Sequence, residues 1–266
     1  MKKLLLLVAS LAVCVSANAS EWGVKAGASI STSTMGIDAV SAKIKLGSTV
    51  GYYVGATNNI SFNDKIGLQT ELVYRSAGSS VGVSSDMSTL ANLVLSDYMS
   101  EFDDDFQFAL DDMKVTYRTH EVDLPILFKY KPTENLSLLA GPFLSYSVAS
   151  TVKFNDGVED LISGLTTEAY VDLLTDTGKS ILDEVVKQFD MGLSFGLEYS
   201  FDCGLFIDAR YSVGLLNQFN NVIDLDNIEV LGESMEGAGT FDIEDTLGFK
   251  GTLRTQFFQV GVGFRF

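Results

Sequence analysis

The chain has a single histidine, His120, and a carboxylate, Glu121, follows it directly. In many hydrolases a histidine acts as the general base and a carboxylate orients it. His120 and Glu121 are neighbours on a predicted β-strand, however, so their side chains point to opposite faces and cannot form such a pair directly. Ser145 and Ser212 could each be proposed as a nucleophile, but no sequence feature couples either serine to the histidine. The sequence therefore favours a protein that is not an enzyme.

Asp103, Asp104 and Asp105 form a run of carboxylates that could hold a hard cation such as Ca²⁺ through oxygen ligands. The residues around the run lack the spacing of a calcium-binding loop, so it is more typical of a solvated acidic segment. The sequence also lacks a phosphate-binding loop, a zinc motif and the nucleophile motif of hydrolases. We therefore expect no metal and no cofactor.

Eight segments alternate between apolar and polar or small residues with the period of two that predicts a β-strand. They span residues 22–30, 50–56, 66–74, 121–130, 136–146, 190–199, 205–215 and 256–266. The apolar faces of these segments carry no charged residue. An Arg or Lys that faces lipid at the bilayer midplane costs about 2–4 kcal/mol, so this partition is expected of strands that turn their apolar faces to a membrane. We predict an all-β protein, an eight-stranded antiparallel transmembrane β-barrel.

The opposite faces of the same segments carry charges of both signs. The basic residues are Lys25, Arg75, Lys129, Arg210 and Arg265, and the acidic residues are Glu71, Glu121, Asp123, Asp190, Glu198 and Asp208. The interior of an eight-stranded barrel is just wide enough for side chains to fill it. Because the two signs are nearly balanced, we predict a lumen ion-pair network that plugs the barrel instead of an open pore.

The last predicted strand ends on the last residue, Phe266. An unpaired terminal strand would be an exposed, aggregation-prone edge, and this edge disappears if the strand pairs with the first one and closes the barrel. Aromatic residues fall at both predicted rims, as in membrane girdles. They are Trp22, Tyr130, Tyr199 and Phe266 at one rim, and Tyr52, Tyr74, Tyr146 and Tyr211 at the other. A soluble β-sandwich or a lipocalin-like barrel, with the apolar faces inside, is the alternative.

Residues 1–19 have the pattern of an export signal. Lys2 and Lys3 precede an apolar core at 4–15, and residues 17–19 read Ala-Asn-Ala, which fits a small-x-small cleavage site. A lipoprotein signal with Cys14 as the lipid-carrying residue is the alternative. The mature chain is then one barrel domain, residues 20–266, in which a lone cysteine cannot form an internal disulfide.

The connections between predicted strands alternate between short and long, which is typical of periplasmic turns and extracellular loops. Three long loops, at 76–114, 148–188 and 216–251, hold eight acidic residues each, which is 24 of the 35 in the chain. Apolar residues recur at helical spacing in the first two, so we predict partly helical extracellular loops. The formal net charge of −17 argues against binding to nucleic acid, whose phosphates would be repelled.

Pro125 and Pro142 lie inside predicted strands. Proline has no N–H group to donate to the sheet, and a closed barrel has no edge at which the missing bond could be hidden. We therefore expect a bulge or irregular pairing near each proline.

Four stretches of the chain resemble the PorT-like family of outer-membrane β-barrels. They are residues 121–130 (Glu-Val-Asp-Leu-Pro-Ile-Leu-Phe-Lys-Tyr), 140–142 (Ala-Gly-Pro), 208–215 (Asp-Ala-Arg-Tyr-Ser-Val-Gly-Leu) and 263–266 (Gly-Phe-Arg-Phe). The resemblance covers most of the strands and little of the loops. It implies an eight-stranded barrel in the cell outer membrane, inserted by the barrel-assembly machinery, with Phe264 and Phe266 as the assembly signal.

From these features we expect a role in surface recognition or in envelope structure. The strands would contact outer-membrane lipid, and the acidic loops would contact an extracellular protein or glycan. The first alternative is a narrow channel or a component of the protein-secretion apparatus, the role linked to the member that gives the PorT-like family its name. The second is an enzyme at the membrane rim.

Overall fold

The computed structural model describes residues 20–37, 42–82, 114–154, 179–180, 183–230, 233–234, 239–247 and 250–266. The predicted export signal, the aspartate run at 103–105 and most of the predicted loop helices lie outside the described residues. Within them, helical residues occur at 179–180 and 183–185 and in a short helix, Ile243–Leu247. None of the described helices is long and apolar enough to cross a membrane.

Strands make up most of the described chain. The long strands are β1 (Ser20–Ile37), β3 (Gly47–Ser61), β4 (Ile66–Gly82), β5 (Lys114–Tyr130), β6 (Leu136–Phe154), β7 (Phe189–Ser200), β8 (Leu205–Gly214) and β13 (Gly251–Arg265). The short strands are β2 (Ala42–Lys45), β9 (Val222–Asp224), β10 (Glu229–Val230), β11 (Glu233–Ser234) and β12 (Thr240–Asp242), and a 3₁₀ turn lies at Leu225–Asn227. Each predicted segment falls on one long strand to within a residue.

The long strands form one antiparallel sheet that closes on itself. Neighbours follow the chain in the order β1, β3, β4, β5, β6, β7, β8 and β13, and β13 then pairs with β1. The closing ladder runs from Gly23 opposite Arg265 to Ile37 opposite Gly251. The chain is therefore an all-β, eight-stranded antiparallel barrel, as predicted. The short β2 pairs with the carboxyl-terminal end of β1, at residues 34–37.

The barrel exposes its apolar strand faces and buries its polar ones. On the outside, Val262, Phe195 and Leu197 are 55%, 54% and 52% exposed, whereas Glu198 and Arg210 are 0% and 2% exposed. A soluble barrel would need the reverse arrangement, so the sandwich or lipocalin-like alternative is wrong. Apolar side chains can cover the whole outer surface where the surroundings are acyl chains.

Strands β4 and β5 continue well beyond the predicted segments. Residues 76–82 and 114–120, which the alternation assigns to a loop and its flank, pair with each other from Ser76 opposite His120 to Gly82 opposite Lys114. The loop predicted at 76–114 is therefore shorter at both ends. The alternation depends on one strand face meeting lipid, and it fades where both faces are polar although the backbone ladder continues.

Pairing is irregular at both prolines, as predicted. Regular pairs are interrupted between β4 and β5 where 71–72 lie opposite 124–125, and between β5 and β6 where 126–127 lie opposite 141–142. The register is the same on both sides of each gap, so the missing N–H group disturbs the ladder locally without inserting a residue. The register shift between β5 and β6 lies elsewhere, at 120–121.

Short turns connect the strands at one end of the barrel. In the turn at 62–65, Asn63 Oδ1 accepts hydrogen bonds from the backbone N–H groups of Lys65 and Ile66 at 2.9 and 2.8 Å. In the turn at 201–204, Gly204 has a φ of +87°, a conformation that favours glycine. These turns hold neighbouring strands in register and so position the residues that face the lumen.

Candidate functional site: the charged interior and its outer cavity

Glu71 is the centre of an ion-pair cluster in the middle of the lumen. Arg210 donates to both carboxylate oxygens of Glu71, each at 2.7 Å, and Lys25 Nζ lies 2.9 Å from Glu71 Oε2. These three side chains come from β8, β4 and β1, no two of which are adjacent, so the bonds cross the lumen. Lys25 also reaches Asp208 at 3.3 Å, and the Tyr53 hydroxyl donates to Asp208 at 3.1 Å. The cluster therefore ties separate walls of the barrel together.

A second cluster lies nearer the short turns. Lys129 Nζ is 2.7 Å from Glu198 Oε1 and donates to Gln69 Oε1 at 3.2 Å. Arg265 pairs with the other oxygen of Glu198. Gln69 in turn donates through Nε2 to Glu71 at 2.7 Å. One continuous set of polar contacts thus joins this cluster to the central one.

A third cluster surrounds Arg75 on the side away from the short turns. Arg75 Nε donates to Asp123 Oδ2 at 2.7 Å, and its Nη2 pairs with Glu121. The Ser145 hydroxyl lies 2.6 Å from an oxygen of Asp123 and 3.1 Å from one of Glu121, so its single proton is shared between the two carboxylates, and the Thr119 hydroxyl donates to Glu121 at 2.7 Å. Carboxylates outnumber the cation here, so hydroxyl groups supply the remaining donors.

Asp190 differs from the other acidic residues that were predicted to face the lumen. It is 3% exposed, and within the described part of the chain no cationic side chain lies within ion-pair distance of it. It accepts hydrogen bonds from the Thr255 hydroxyl and from the Met191 N–H group, both at 2.8 Å. Neutral donors therefore take the place of the expected ion pair.

Large aromatic side chains also fill the lumen, whereas the sequence predicts only ion pairs there. They are Tyr53, Phe143, Phe206 and Phe257, each 4% exposed or less. Glycines on the inward face of β13 make room for two of them, since a β-carbon on Gly261 would lie 2.1 Å from Tyr53 Oη and one on Gly263 would lie 2.1 Å from Phe206 Cζ. Glycines on the inward face of one strand are therefore a sequence signal that bulky side chains of other strands enter the lumen beside them.

Charged and aromatic side chains together leave little free space in the middle of the barrel. The gap lined by Val73, Phe143 and Arg210 is too small to hold a water molecule. Farther from the short turns the lumen widens into a cavity of about 280 Å³, which we call the outer cavity. Its lining includes Arg75 and Glu121 of the third cluster, many hydroxyl groups of the strand walls, and residues of the segment 183–188.

The residues considered for catalysis lie on opposite sides of the barrel wall. His120 faces outward, where its Nδ1 lies 2.9 Å from Tyr74 Oη and the two rings stack with centres 5.8 Å apart. Ser145 and Ser212 are buried in the lumen, and Ser212 shares a hydrogen bond of 2.7 Å with Ser194. Among the described residues, no group of three or more His, Cys, Asp or Glu side chains is placed to hold a metal ion.

The sequence model of the outer membrane protein beta-barrel domain family matches residues 12–220. The chain belongs to this family. It is accordingly a protein of the cell outer membrane, and the exposed apolar faces of its strands contact lipid. From the asymmetry usual in this class of barrel, we expect the short turns to face the periplasm and the opposite end of the barrel to face the cell exterior.

Several solved outer-membrane barrels are similar to this chain in structure. Ail, the attachment invasion locus protein of Yersinia pestis, in complex with the heparin analogue sucrose octasulfate, is 13% identical with a TM-score of 0.38, covering 93% of this chain and 99% of Ail. Neisserial surface protein A is 11% identical with a TM-score of 0.42, covering 94% and 100%. OprG of Pseudomonas aeruginosa is 13% identical with a TM-score of 0.38, covering 93% and 96%.

The search of curated proteins finds no sequence match. Structural similarity at the level of these barrels carries no information about function.

Phe264 and Phe266 lie on the lipid-facing side of the periplasmic rim, where they are 45% and 77% exposed. The N–H group of Phe266 donates to the carbonyl oxygen of Trp22 at 2.9 Å, which joins the two ends of the barrel wall. Both aromatic rings are therefore available to the membrane or to another protein at this rim.

Proposed function

We propose that this barrel is a closed, rigid anchor in the outer membrane that presents its acidic extracellular segments to a protein partner at the cell surface. The observation that carries the proposal is the filled lumen, in which Glu71, Arg210 and Lys25 bond across the barrel. Opening a pore would require these groups to separate, and a buried charge without its partner is strongly destabilising. The filled lumen therefore favours an anchor over a narrow channel.

The distribution of acidic residues supports recognition of a basic partner. Of the 35 acidic residues, 24 belong to the three stretches 76–114, 148–188 and 216–251. Charge concentrated in this way accelerates association with a positively charged surface and repels polyanions. Ail is similar in fold and its structure contains a heparin analogue, which is a polyanion. The charge of the present chain supports the opposite preference, namely a protein with a basic face.

Residues near both ends of the given sequence would direct export and assembly of the barrel. Residues 1–19 would direct export, and Phe264 and Phe266 would be read by the barrel-assembly machinery. The resemblance to PorT-like barrels at 121–130 and 263–266 lies in the strands, so it supports a shared route of assembly and leaves the partner to be set by the extracellular segments.

The proposal predicts a cross-linked partner that depends on extracellular charge. A photoreactive benzoylphenylalanine is placed at Val222, which is 47% exposed in the long connection between β8 and β13, and, as a control, at Phe62, which is 62% exposed in a periplasmic turn. We expect irradiation of whole cells to give a discrete adduct from position 222 that is absent from position 62. Changing the eight acidic residues between 86 and 112 to their amides should reduce the yield of this adduct.

A control variant distinguishes the charge of the extracellular segments from the net charge of the whole protein. Asp64→Asn with Glu134→Gln removes charge from two periplasmic turns and should leave the adduct unchanged, since both side chains are exposed at the other end of the barrel. An adduct whose yield is insensitive to the extracellular amide substitutions and to added salt would contradict recognition by charge. Unitary currents from the purified barrel in a planar bilayer would instead support the channel.

A further inference from the structure

The outer cavity is a second feature of the extracellular end, and hydroxyl groups outnumber carboxylates in its lining. Its floor is the ion pair of Arg75 with Glu121, and its walls come from β1, β4, β5, β6 and β13. Hydroxyl groups are the commonest lining group in the walls. They include Ser33, Ser79, Thr119, Ser147, Ser150 and Thr255.

The segment 183–188 is bonded to the walls of this cavity. The Tyr117 hydroxyl donates to Asp183 at 3.1 Å, and the Ser150 hydroxyl bonds to the same carboxylate. Backbone bonds complete the attachment: the N–H of Ser147 donates to the carbonyl of Gln188 at 2.7 Å, and the N–H of Lys187 donates to the carbonyl of Gln218, which also lines the cavity, at 2.8 Å. The lining is therefore held in place from two sides of the barrel, which reduces the conformational cost of binding.

The charges around the cavity largely offset one another. In and below the floor Arg75 pairs with Glu121 and Asp123, and Asp183 is accompanied by Lys179 and Lys187 in the lining. A strongly charged ligand would thus meet groups of both signs. The hydroxyl groups of Ser33, Ser79 and Ser147 can each donate one hydrogen bond and accept others. Those of Thr119, Ser150 and Thr255 already donate to carboxylates and can accept from a ligand. This mixture of donors and acceptors matches a ligand that itself carries many hydroxyl groups.

The size of the cavity and its apolar lining narrow the class of ligand further. A volume of about 280 Å³ is close to the lower end of small-molecule sites, roughly 300–1,000 Å³. Val148, Leu253 and the ring of Tyr117 add apolar surface beside the hydroxyl groups. Sugars have this mixed character, since their C–H groups and their hydroxyl groups face different directions.

We propose that the outer cavity binds a small, uncharged polyhydroxy ligand of about the size of a monosaccharide. Such a site would give the barrel a small-molecule specificity of its own, separate from the protein partner of the acidic segments. The two proposals are independent because the cavity lies inside the lumen and its ligand is tested on a purified chain with no partner present.

The test measures ligand binding to the purified, folded barrel in detergent by saturation-transfer NMR and by calorimetry. The probes are a neutral hexose, N-acetylglucosamine and inositol, with glucosamine and glucuronic acid as charged counterparts. We expect saturable binding of at least one neutral probe that exceeds binding of the charged ones. Ser147→Leu, which fills part of the cavity, should weaken it by at least about tenfold, equivalent to about 1.4 kcal/mol.

The matched control places the same substituent on the same strand but outside the lumen. Thr151 is exposed and pairs with Arg118 on the outward face, so Thr151→Leu should leave binding unchanged. Equal heat-modifiable migration of both variants shows that each is folded. The proposal is overturned if no neutral probe saturates the wild-type barrel, if a charged sugar binds more tightly, or if a folded Ser147→Leu barrel binds as the wild type does.

Discussion

Glu71→Gln should lower the free energy of unfolding by about 3–5 kcal/mol, the range expected when one partner of a buried ion pair is removed. Glutamine keeps the volume of the side chain, so the loss reports charge and not a cavity. Arg210 and Lys25 would both lose the carboxylate that they share at 2.7 and 2.9 Å. The measurement is denaturant unfolding in lipid or detergent micelles, with Trp22 as the only tryptophan reporter in the chain.

Two further variants make this result interpretable. Glu134→Gln makes the same chemical change in an exposed turn and should stay within about 0.5 kcal/mol of the wild type. Adding Lys25→Met to Glu71→Gln restores the charge balance, because Arg210 and Asp208 remain, and should recover part of the loss. If Glu71→Gln is as mild as Glu134→Gln, the cross-lumen cluster does not stabilise the barrel as described.

Phe195→Arg should destabilise the folded barrel in lipid by about 2–4 kcal/mol, the cost of a basic side chain at the bilayer midplane. Phe195 is 54% exposed on the outward face, near the middle of β7 (Phe189–Ser200). An arginine there would bring a charge among acyl chains. The equilibrium between folded and unfolded barrel in phospholipid vesicles, followed by heat-modifiable migration, gives the difference in free energy.

Two control variants separate the effect of the charge at the bilayer midplane from the loss of the ring and from the charge itself. Phe195→Leu removes the ring without adding a charge and should cost much less than the arginine substitution. Phe201→Arg adds the same charge at a periplasmic turn residue that is 44% exposed, where the expected cost falls to about 0–1 kcal/mol. Equal costs at positions 195 and 201 would mean that the outer surface is not covered by lipid in the way the strand faces require.

The sequence predicted the strands that cross the membrane because lipid imposes a strict rule on one face of each. The segment 190–199, for example, alternates between Met191, Leu193, Phe195 and small or acidic residues, and the structure places that whole segment in β7. Where the strands leave the lipid, the rule no longer applies. The alternation accordingly assigns residues 76–82 to a loop, although the ladder with β5 continues through them.

The choice of partners inside the lumen could not be predicted from the strand pattern. Glu71, Lys25 and Arg210 lie on three strands that are not adjacent, and their meeting depends on the tilt and stagger of the closed barrel. The same geometry leaves Asp190 with the hydroxyl of Thr255 as a partner instead of a cation. The alternation shows which face of its strand a residue occupies. Which residues of the opposite wall it contacts depends on how far the strands are shifted along each other when the barrel closes.

Apolar side chains face lipid and the lumen is filled, and two adjacent phenylalanines report on both features at once. Phe257 is 4% exposed inside the barrel and Phe258 is 43% exposed outside it, at nearly the same depth. In a Trp22→Phe background, the Phe257→Trp and Phe258→Trp variants are reconstituted separately with lipids brominated along their acyl chains. We expect strong quenching of fluorescence for Phe258→Trp and weak quenching for Phe257→Trp. Equal or reversed quenching would mean that the two strand faces are not divided between lipid and lumen.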